Sequence, residues 1–289
     1  MTALPSPWLR STDWLAERLN APDLVVIDGS YYLSTMKHDA EAEFVAGHIP
    51  GAQRFDIDTV KDADSDLPHM MPPTPVFSAA LRKLGIGDGQ SVLIYDGAGL
   101  FSAPRVWWMF RTFGVERVFI LDGGLPKWLA EGRPVETGPA KARAARHFTA
   151  RRNHGAVADL GDVKKALASG RVQVVDARPA DRFRGETPEP RAGLKSGHMP
   201  GALNVPFGAL VKDGRLASPE TIKAAFEAGG VDLDKPVITS CGSGVSAAIL
   251  WLAMDAVGRQ PAGLYDGSWA EWGGRDDCPV VTGPAKKGE

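Results

Sequence analysis

The sequence predicts an α/β protein made of two tandem domains, each a parallel sheet with helices on both faces. Three observations predict it. Short apolar, β-branched runs alternate with longer helical stretches along the whole chain. Several of those short runs, such as Leu24-Val-Val-Ile, are continuously apolar, as strands buried on both faces are. The second half then repeats the motifs of the first in the same order.

The repeat is explicit. Leu24-Val-Val-Ile-Asp28 corresponds to Val172-Gln-Val-Val-Asp176, and Gly47-His-Ile-Pro-Gly-Ala52 to Gly197-His-Met-Pro-Gly-Ala202. Val92-Leu-Ile-Tyr-Asp96 corresponds to Val237-Ile-Thr-Ser-Cys241. Leu121-Asp-Gly-Gly124 with Trp128 corresponds to Tyr265-Asp-Gly-Ser268 with Trp272. The offset between partners drifts only slightly, so one unit occurs twice.

Taken in order, Thr12 to Leu19 reads as a helix, Leu24 to Asp28 as a strand, Val76 to Leu84 as a helix and Val92 to Tyr95 as a strand. Ser102 to Phe113 follows as a helix and Val118 to Leu121 as a strand. The second copy gives helices over Asp159 to Ala168, Ser218 to Ala228 and Ser246 to Val257. Its strands are Val172 to Asp176, Val237 to Ser240 and Gly263 to Tyr265. The expected domains are residues 1–135 and 154–289. They are joined by Glu136 to Asn153, an Ala-, Arg- and Gly-Pro-rich linker whose piece from His147 is expected to be extended and to pack the domains together. Gly283 to Glu289 reads as a frayed tail.

A chain of 289 residues has room for two such cores. Its net charge of -2 argues against nucleic acid or an anionic membrane as partner. No apolar run is long enough to span a bilayer, and the start, Met-Thr-Ala-Leu-Pro-Ser-Pro-Trp, lacks the basic and apolar segments of a signal peptide. A cytoplasmic location is the expectation. The 2 cysteines, Cys241 and Cys278, show no metal-ligand spacing and are expected to be thiols in a reducing compartment. Cys278 lies in Asp-Asp-Cys-Pro with no glycine nearby and reads as structural.

Cys241 is different. It ends a strand and is followed by Gly242-Ser243-Gly244-Val245-Ser246-Ala247, where a buried helix begins. Two glycines allow the loop to curl with its N–H groups inward, and the helix adds its positive end. Such a cradle favours an anion, which for a cysteine means a lowered pKa and a nucleophilic thiolate. The competing reading is a small buried hydrophobe, the commoner fate of a free cysteine. Where cysteine phosphatases place a phosphate-gripping arginine, this chain has Ala247, so the ring of donors suits a smaller anion, a thiolate or persulfide.

Cys241-Gly242-Ser243-Gly244-Val245-Ser246-Ala247 resembles the active-site loop of the rhodanese superfamily, and within it the Cys-Gly-Ser-Gly-Val form resembles the 3-mercaptopyruvate sulfurtransferases. Thiosulfate sulfurtransferases of that superfamily typically carry Arg and Lys where this chain has Gly242 and Ser243. The resemblance extends over nearly the whole chain and implies two rhodanese-like domains, an inactive N-terminal and an active C-terminal one. Asp96 stands where the first copy would need its cysteine, and a carboxylate cannot pass on a sulfur atom.

The same resemblance implies roles for other residues. Ser243, His69 and Asp58 match a serine, histidine and acid thought to form a proton relay across the interdomain cleft, and Arg182 and Arg191 match arginines that hold a keto acid's carboxylate and carbonyl. Arg184 has no assigned role, and the acidic loop residues Asp62, Asp64 and Asp66 read as solvated surface. His48 and His198, each in a Gly-His-x-Pro-Gly-Ala motif, read as turn-pinning residues, because a catalytic group need not occur twice.

The expected reaction is ping-pong sulfur transfer. Cys241 takes sulfur from 3-mercaptopyruvate, pyruvate leaves, and the persulfide, cradled by Gly242 to Ala247, passes its sulfur to a thiol such as reduced thioredoxin, or to cyanide. No metal or organic cofactor is required. The alternatives are a thiosulfate sulfurtransferase using thiosulfate as the small-molecule donor, and a non-enzymatic rhodanese-like regulatory module.

Overall fold

The structure is a computed structural model that describes residues 4–285. Its contacts divide the chain into two units. The first holds the chain up to Asp64, Met71–Asn153 and Asp213–Arg215. The second holds Ser65–Met70, His154–Lys212 and the chain from Leu216 onward. The short segment Ser65–Met70, far from the rest of the second unit in sequence, brings His69 into it.

The first unit runs β1 (Leu9–Arg10), α1 (Thr12–Arg18), β2 (Leu24–Asp28), α2 (Ala40–Ala46), β3 (Gln53–Arg54), α3 (Thr74–Lys83), β4 (Ser91–Tyr95), α4 (Ala103–Thr112), β5 (Val118–Leu121) and α5 (Gly124–Ala130). Its strands form one parallel sheet in the order β1-β5-β4-β2-β3. Every residue of β2 and β4 is buried, as the unbroken apolar runs require of strands covered on both faces.

The second unit runs β6 (Val157–Ala158), α6 (Leu160–Ser169), β7 (Gln173–Asp176), α7 (Ala180–Arg184), β8 (Leu203–Asn204), the hairpin β9 (Val211–Lys212) and β10 (Arg215–Leu216), α8 (Pro219–Ala228), β11 (Val237–Ser240), α9 (Ala247–Ala256), β12 (Gly263–Tyr265) and α10 (Ser268–Trp272). The hairpin's turn belongs to the first unit. The sheet order, β6-β12-β11-β7-β8, is that of the first unit position for position, and all its pairings are parallel. The repeat therefore extends to topology. β11 lies in the middle of its sheet, so the loop after it opens at the carboxyl edge of the central strand, where doubly wound sheets bind ligands.

Helix starts follow the side chains. Ser11 Oγ accepts the Trp14 N–H at 3.1 Å, Asp159 and Asp162 form a capping box, and Ser218 Oγ accepts the Thr221 N–H at 3.3 Å. Each cap contributes about 1 kcal/mol. Helices α6 and α8 bury one face, through Val163 and Ala166 and through Ile222 and Phe226. Helix α9 buries Ala247, Ala248, Ile249, Leu250, Leu252, Ala253 and Met254, so its sequence is apolar all round. None of the described helices is long and apolar enough to cross a membrane.

The long elements lie within a residue or two of their expected bounds, but the edge strands β1, β3, β6 and β8 are not visible in the sequence. Strands of two residues are too short to show a period. Helices α2, α5, α7 and α10, of five to seven residues, escape for the same reason.

The repeated histidines are structural. His48 Nδ1–H donates to the Phe44 carbonyl at 2.8 Å with the rings stacked 3.9 Å apart. His198 Nδ1–H donates to the Phe183 carbonyl at 2.8 Å with the rings 3.8 Å apart. The repeated tryptophans match too: Trp128 donates to Pro134 O at 2.7 Å and Trp272 to Pro279 O at 2.8 Å. The linker runs extended along the first unit, with Asp88 N–H on His147 O, Arg151 N–H on Phe113 O and Phe148 buried against Phe77. Cys278 lies in the second unit's core among Trp269, Trp272 and Val163. Of the expected frayed tail, 286–289 lie outside the described residues.

Candidate active site

The site is built on the turn between β11 and α9. Cys241 follows the last strand residue and is 2% exposed. Its backbone is held from the far side by the turn into α10: the Cys241 N–H donates to Ser268 Oγ at 3.2 Å, Trp269 N–H to Cys241 O at 2.9 Å and Ala270 N–H to Gly242 O at 2.8 Å. Ser268 is itself tied down, its hydroxyl donating to Tyr265 O at 2.7 Å. These bonds fix the direction in which the loop leaves the strand. Gly244 then turns it with φ +77°, a left-handed value that glycine adopts without strain.

What the loop offers is a set of donors. The amide N–H groups of Gly242, Ser243, Val245, Ser246 and Ala247 have no acceptor among the described residues. Buried amides are nearly always paired, so a row of open ones beside a thiol, at a helix start, calls for an anionic guest.

The first unit shows what such a loop does with an anion. There Asp96 occupies the place of Cys241, and its carboxylate turns back into its own loop. Oδ2 accepts the N–H groups of Phe101, Ser102 and Ala103 at 2.8, 2.8 and 2.7 Å, and Oδ1 accepts that of Ala98 at 3.0 Å. Ala103 opens α4 just as Ala247 opens α9. The first loop is thus closed by its own side chain. Tyr32 also packs over it, its hydroxyl 2.1 Å from where a Cβ on Gly97 would stand.

Around the Cys241 loop the second unit gathers three of the other expected residues. Arg191 Nη2 lies 3.2 Å from Ser243 Oγ and 3.3 Å from His69 Nε2, so one guanidinium joins the loop serine to the histidine. A guanidinium only donates, so in this contact Nε2 of His69 is the acceptor. His69 is 2% exposed and has φ +58°, a left-handed conformation that costs a side-chain-bearing residue about 1–2 kcal/mol. Strain of that kind is held in place by surrounding structure and concentrates at functional positions.

Arg182 stands at the start of the loop, its Nη2 3.3 Å from where a Cβ on Gly242 would be. Its fork is not fully open as the sequence suggests. Nε donates to Glu189 Oε1 at 3.2 Å and Nη2 to Glu189 Oε2, which leaves Nη1 without a partner among the described residues. Asp58 belongs to the first unit and is exposed, on a turn where its N–H donates to Asp56 Oδ1 at 2.9 Å. Arg184 pairs with Glu186 on the surface.

Sequence reading missed Glu189 and Arg178. Arg178 is 1% exposed, bonded through Nε to Asp176 Oδ2 at 2.8 Å, through Nη1 to Glu189 Oε1 at 2.8 Å and through Nη2 to Gly197 O at 2.9 Å. It also lies 4.2 Å over the Trp269 ring. Those acidic partners hold the Arg178 pKa above its usual value in spite of burial. The available signal was an acid between two arginines in Arg182-Phe-Arg-Gly-Glu-Thr-Pro-Glu-Pro-Arg191, but pairing across a loop has no period. Among the described residues no group of His, Cys, Asp and Glu is placed to hold a metal ion.

The model of the rhodanese-like domain matches twice, over residues 11–131 and 159–275. The 3-mercaptopyruvate sulfurtransferase of Escherichia coli (strain K12) is 44% identical over 278 residues, covering 96% of this chain and 99% of its own. The thiosulfate sulfurtransferase of Bos taurus is 43% identical over 272 residues, covering 91% of each. The crystal structure of SseA from Escherichia coli, described as a 3-mercaptopyruvate sulfotransferase, superposes with TM-score 0.83 at 43% identity, covering 91% of this chain and 99% of that one.

Proposed function

The chain belongs to the rhodanese-like family, with two such domains in tandem, and on that premise we propose that it is a sulfurtransferase that moves sulfur from 3-mercaptopyruvate through a persulfide on Cys241. The observation that carries the site is the set of amides of Gly242, Ser243, Val245, Ser246 and Ala247 with no acceptor among the described residues, set against the first unit's loop, where the amides hold a carboxylate.

The chemistry balances with the groups present. The Cys241 thiolate attacks the donor's sulfur, an S–S bond forms, and the S–C bond breaks with its electron pair going to carbon. The resulting enolate of pyruvate takes up one proton, equal in number to the one the donor's thiol gives up as the persulfide becomes anionic. Ser243, whose oxygen accepts from Arg191, has its own O–H to donate to the carbon, and His69 lies within hydrogen-bond reach of the same guanidinium. Arg191 and the Nη1 of Arg182 are the cations that face a keto acid. The role of Asp58 rests on the family resemblance alone, and Asp58→Asn tests it by the rate with 3-mercaptopyruvate.

The persulfide then gives its outer sulfur to a second nucleophile, a thiol such as reduced thioredoxin, or cyanide. The reaction belongs in the cytoplasm, where Cys241 and Cys278, both free here, stay reduced. The similarity to a thiosulfate sulfurtransferase favours one second reading, thiosulfate as donor. Gly242 and Ser243 speak against it, since neither brings the positive charge a dianion needs.

Two measurements test the reading. After incubation with 3-mercaptopyruvate, the Cys241 peptide should gain about 32 Da, the mass of one sulfur. Turnover with equal concentrations of the two donors should favour 3-mercaptopyruvate. Absence of the adduct removes covalent catalysis, and preference for thiosulfate reassigns the donor.

A further inference from the structure

A buried acid beside a site that must attract anions needs a reason. The Glu189 side chain is 2% exposed, and both its oxygens are engaged by the arginines on either side, Arg178 and Arg182. Arg178 is already matched by Asp176, with Nη2 2.7 Å from Oδ2. The set Asp176, Arg178, Glu189 and Arg182 therefore carries two positive and two negative charges. Its outer member, Arg182, is the one that reaches the loop at Gly242. Desolvating Glu189 is costly, and beyond accepting from both arginines through its two oxygens it subtracts one charge from the site.

What the charge does is weaken the field of Arg182 at the loop. The pull on a bound anion scales with the anion's charge, so the loss is twice as large for a dianion as for a monoanion. A keto acid bearing a neutral thiol carries one negative charge, and thiosulfate carries two. We propose that Glu189 is a positioning residue that sets donor preference: it occupies the Nε–Nη2 edge of Arg182, leaves Nη1 for the ligand, and cancels enough charge to disfavour dianionic donors. This rests on the sulfur-transfer reading above and deepens it, because the discrimination lies in a residue that does not touch the donor.

Glu189→Gln preserves size and removes one charge. Ratios of kcat/KM for thiosulfate and for 3-mercaptopyruvate, taken at several ionic strengths, should move toward thiosulfate by about fivefold or more, with the shift shrinking as salt rises. Glu189→Asp, which keeps the charge, should hold the wild-type ratio even where both rates fall. Arg182→Gln should move the ratio the other way, so the charge logic is tested even where Glu189→Gln folds poorly. A merely structural role lowers both donors together, and an unchanged ratio in folded Glu189→Gln, or a shift toward thiosulfate in Arg182→Gln, overturns the proposal.

A second readout does not depend on sulfur transfer. The rate of alkylation of Cys241 by iodoacetate, an anion, relative to neutral iodoacetamide, followed on the Cys241 peptide, should rise in Glu189→Gln and fall in Arg182→Gln. Wild-type protein that turns over neither donor would sink the sulfur-transfer reading, while the alkylation ratio would still decide what Glu189 does to the charge at the loop.

Discussion

At the scale of single residues, the site depends on one sulfur and the donors around it. Cys241→Ser is expected to abolish sulfur transfer while leaving the fold intact, since the smaller oxygen fits the same space and the loop's amides can donate to it. An equal loss of stability would mean that Cys241 is a packing residue. Ser243→Ala should slow turnover of 3-mercaptopyruvate by about 10²-fold, the usual size of an acid–base contribution, and affect discharge of a preformed persulfide much less. Equal rates for variant and parent would take Ser243 out of proton transfer. Arg182→Ala should chiefly raise KM for 3-mercaptopyruvate, and an unchanged KM would leave the grip to Arg191.

At the scale of elements, the two strand–loop–helix turns are one device in two states. In the first unit the Asp96 carboxylate satisfies four backbone N–H groups, so Asp96→Ala leaves a buried ring of donors unpaired. A cost of about 3 kcal/mol is expected, read as a lower urea midpoint for the first unit's transition. A loss below about 1 kcal/mol would mean that water replaces the carboxylate without penalty. The turn of His198 gives a pH prediction. Burial, more than any other cause, pushes His198 below its usual 6.5. The unfolded chain therefore binds the proton first as pH falls, so the contribution to stability is complete above about 6.5 and is lost progressively below it. The fall in unfolding free energy between about pH 7.5 and 5.5 should be larger for the parent than for His198→Asn; equal falls would assign the pH dependence to other groups.

At the scale of the whole molecule, duplication of a fold did not duplicate the loop cysteine. One persulfide per chain is expected from intact-mass measurement after reaction with donor, because the first unit holds a carboxylate in the loop and Cys278 is enclosed by the second unit's core. A second sulfur would mean that Cys278 is reachable. Much of this was legible in the chain. The doubled strand, Gly-His-x-Pro-Gly-Ala and Asp-Gly motifs announced the repeat, and continuous apolar strands announced parallel sheets, because such patterns are local and recur at fixed spacing. The candidate nucleophile was legible for the same reason: a lone cysteine between a β-branched strand and a Gly-x-Gly helix start is a contiguous signal.

The residues that condition the site were not. Glu189 reads as one more surface acid until the fold brings Arg178 and Arg182 to its two oxygens, and Ser268 has no visible link to Cys241 until the α10 turn sets its hydroxyl under the loop. The sequence by itself determined the repeat, the order of the long elements, the candidate nucleophile Cys241 and its replacement by Asp96 in the first copy. Only the tertiary structure decided that the amides of Gly242, Ser243, Val245, Ser246 and Ala247 find no acceptor among the described residues while the first loop's hold a carboxylate, that Arg191 joins Ser243 to His69, and that a buried acid restrains Arg182. The physical reason is range: strands, helices and tight turns are specified by neighbours in the chain, whereas hydrogen bonding and charge balance at a site depend on groups that only folding makes adjacent.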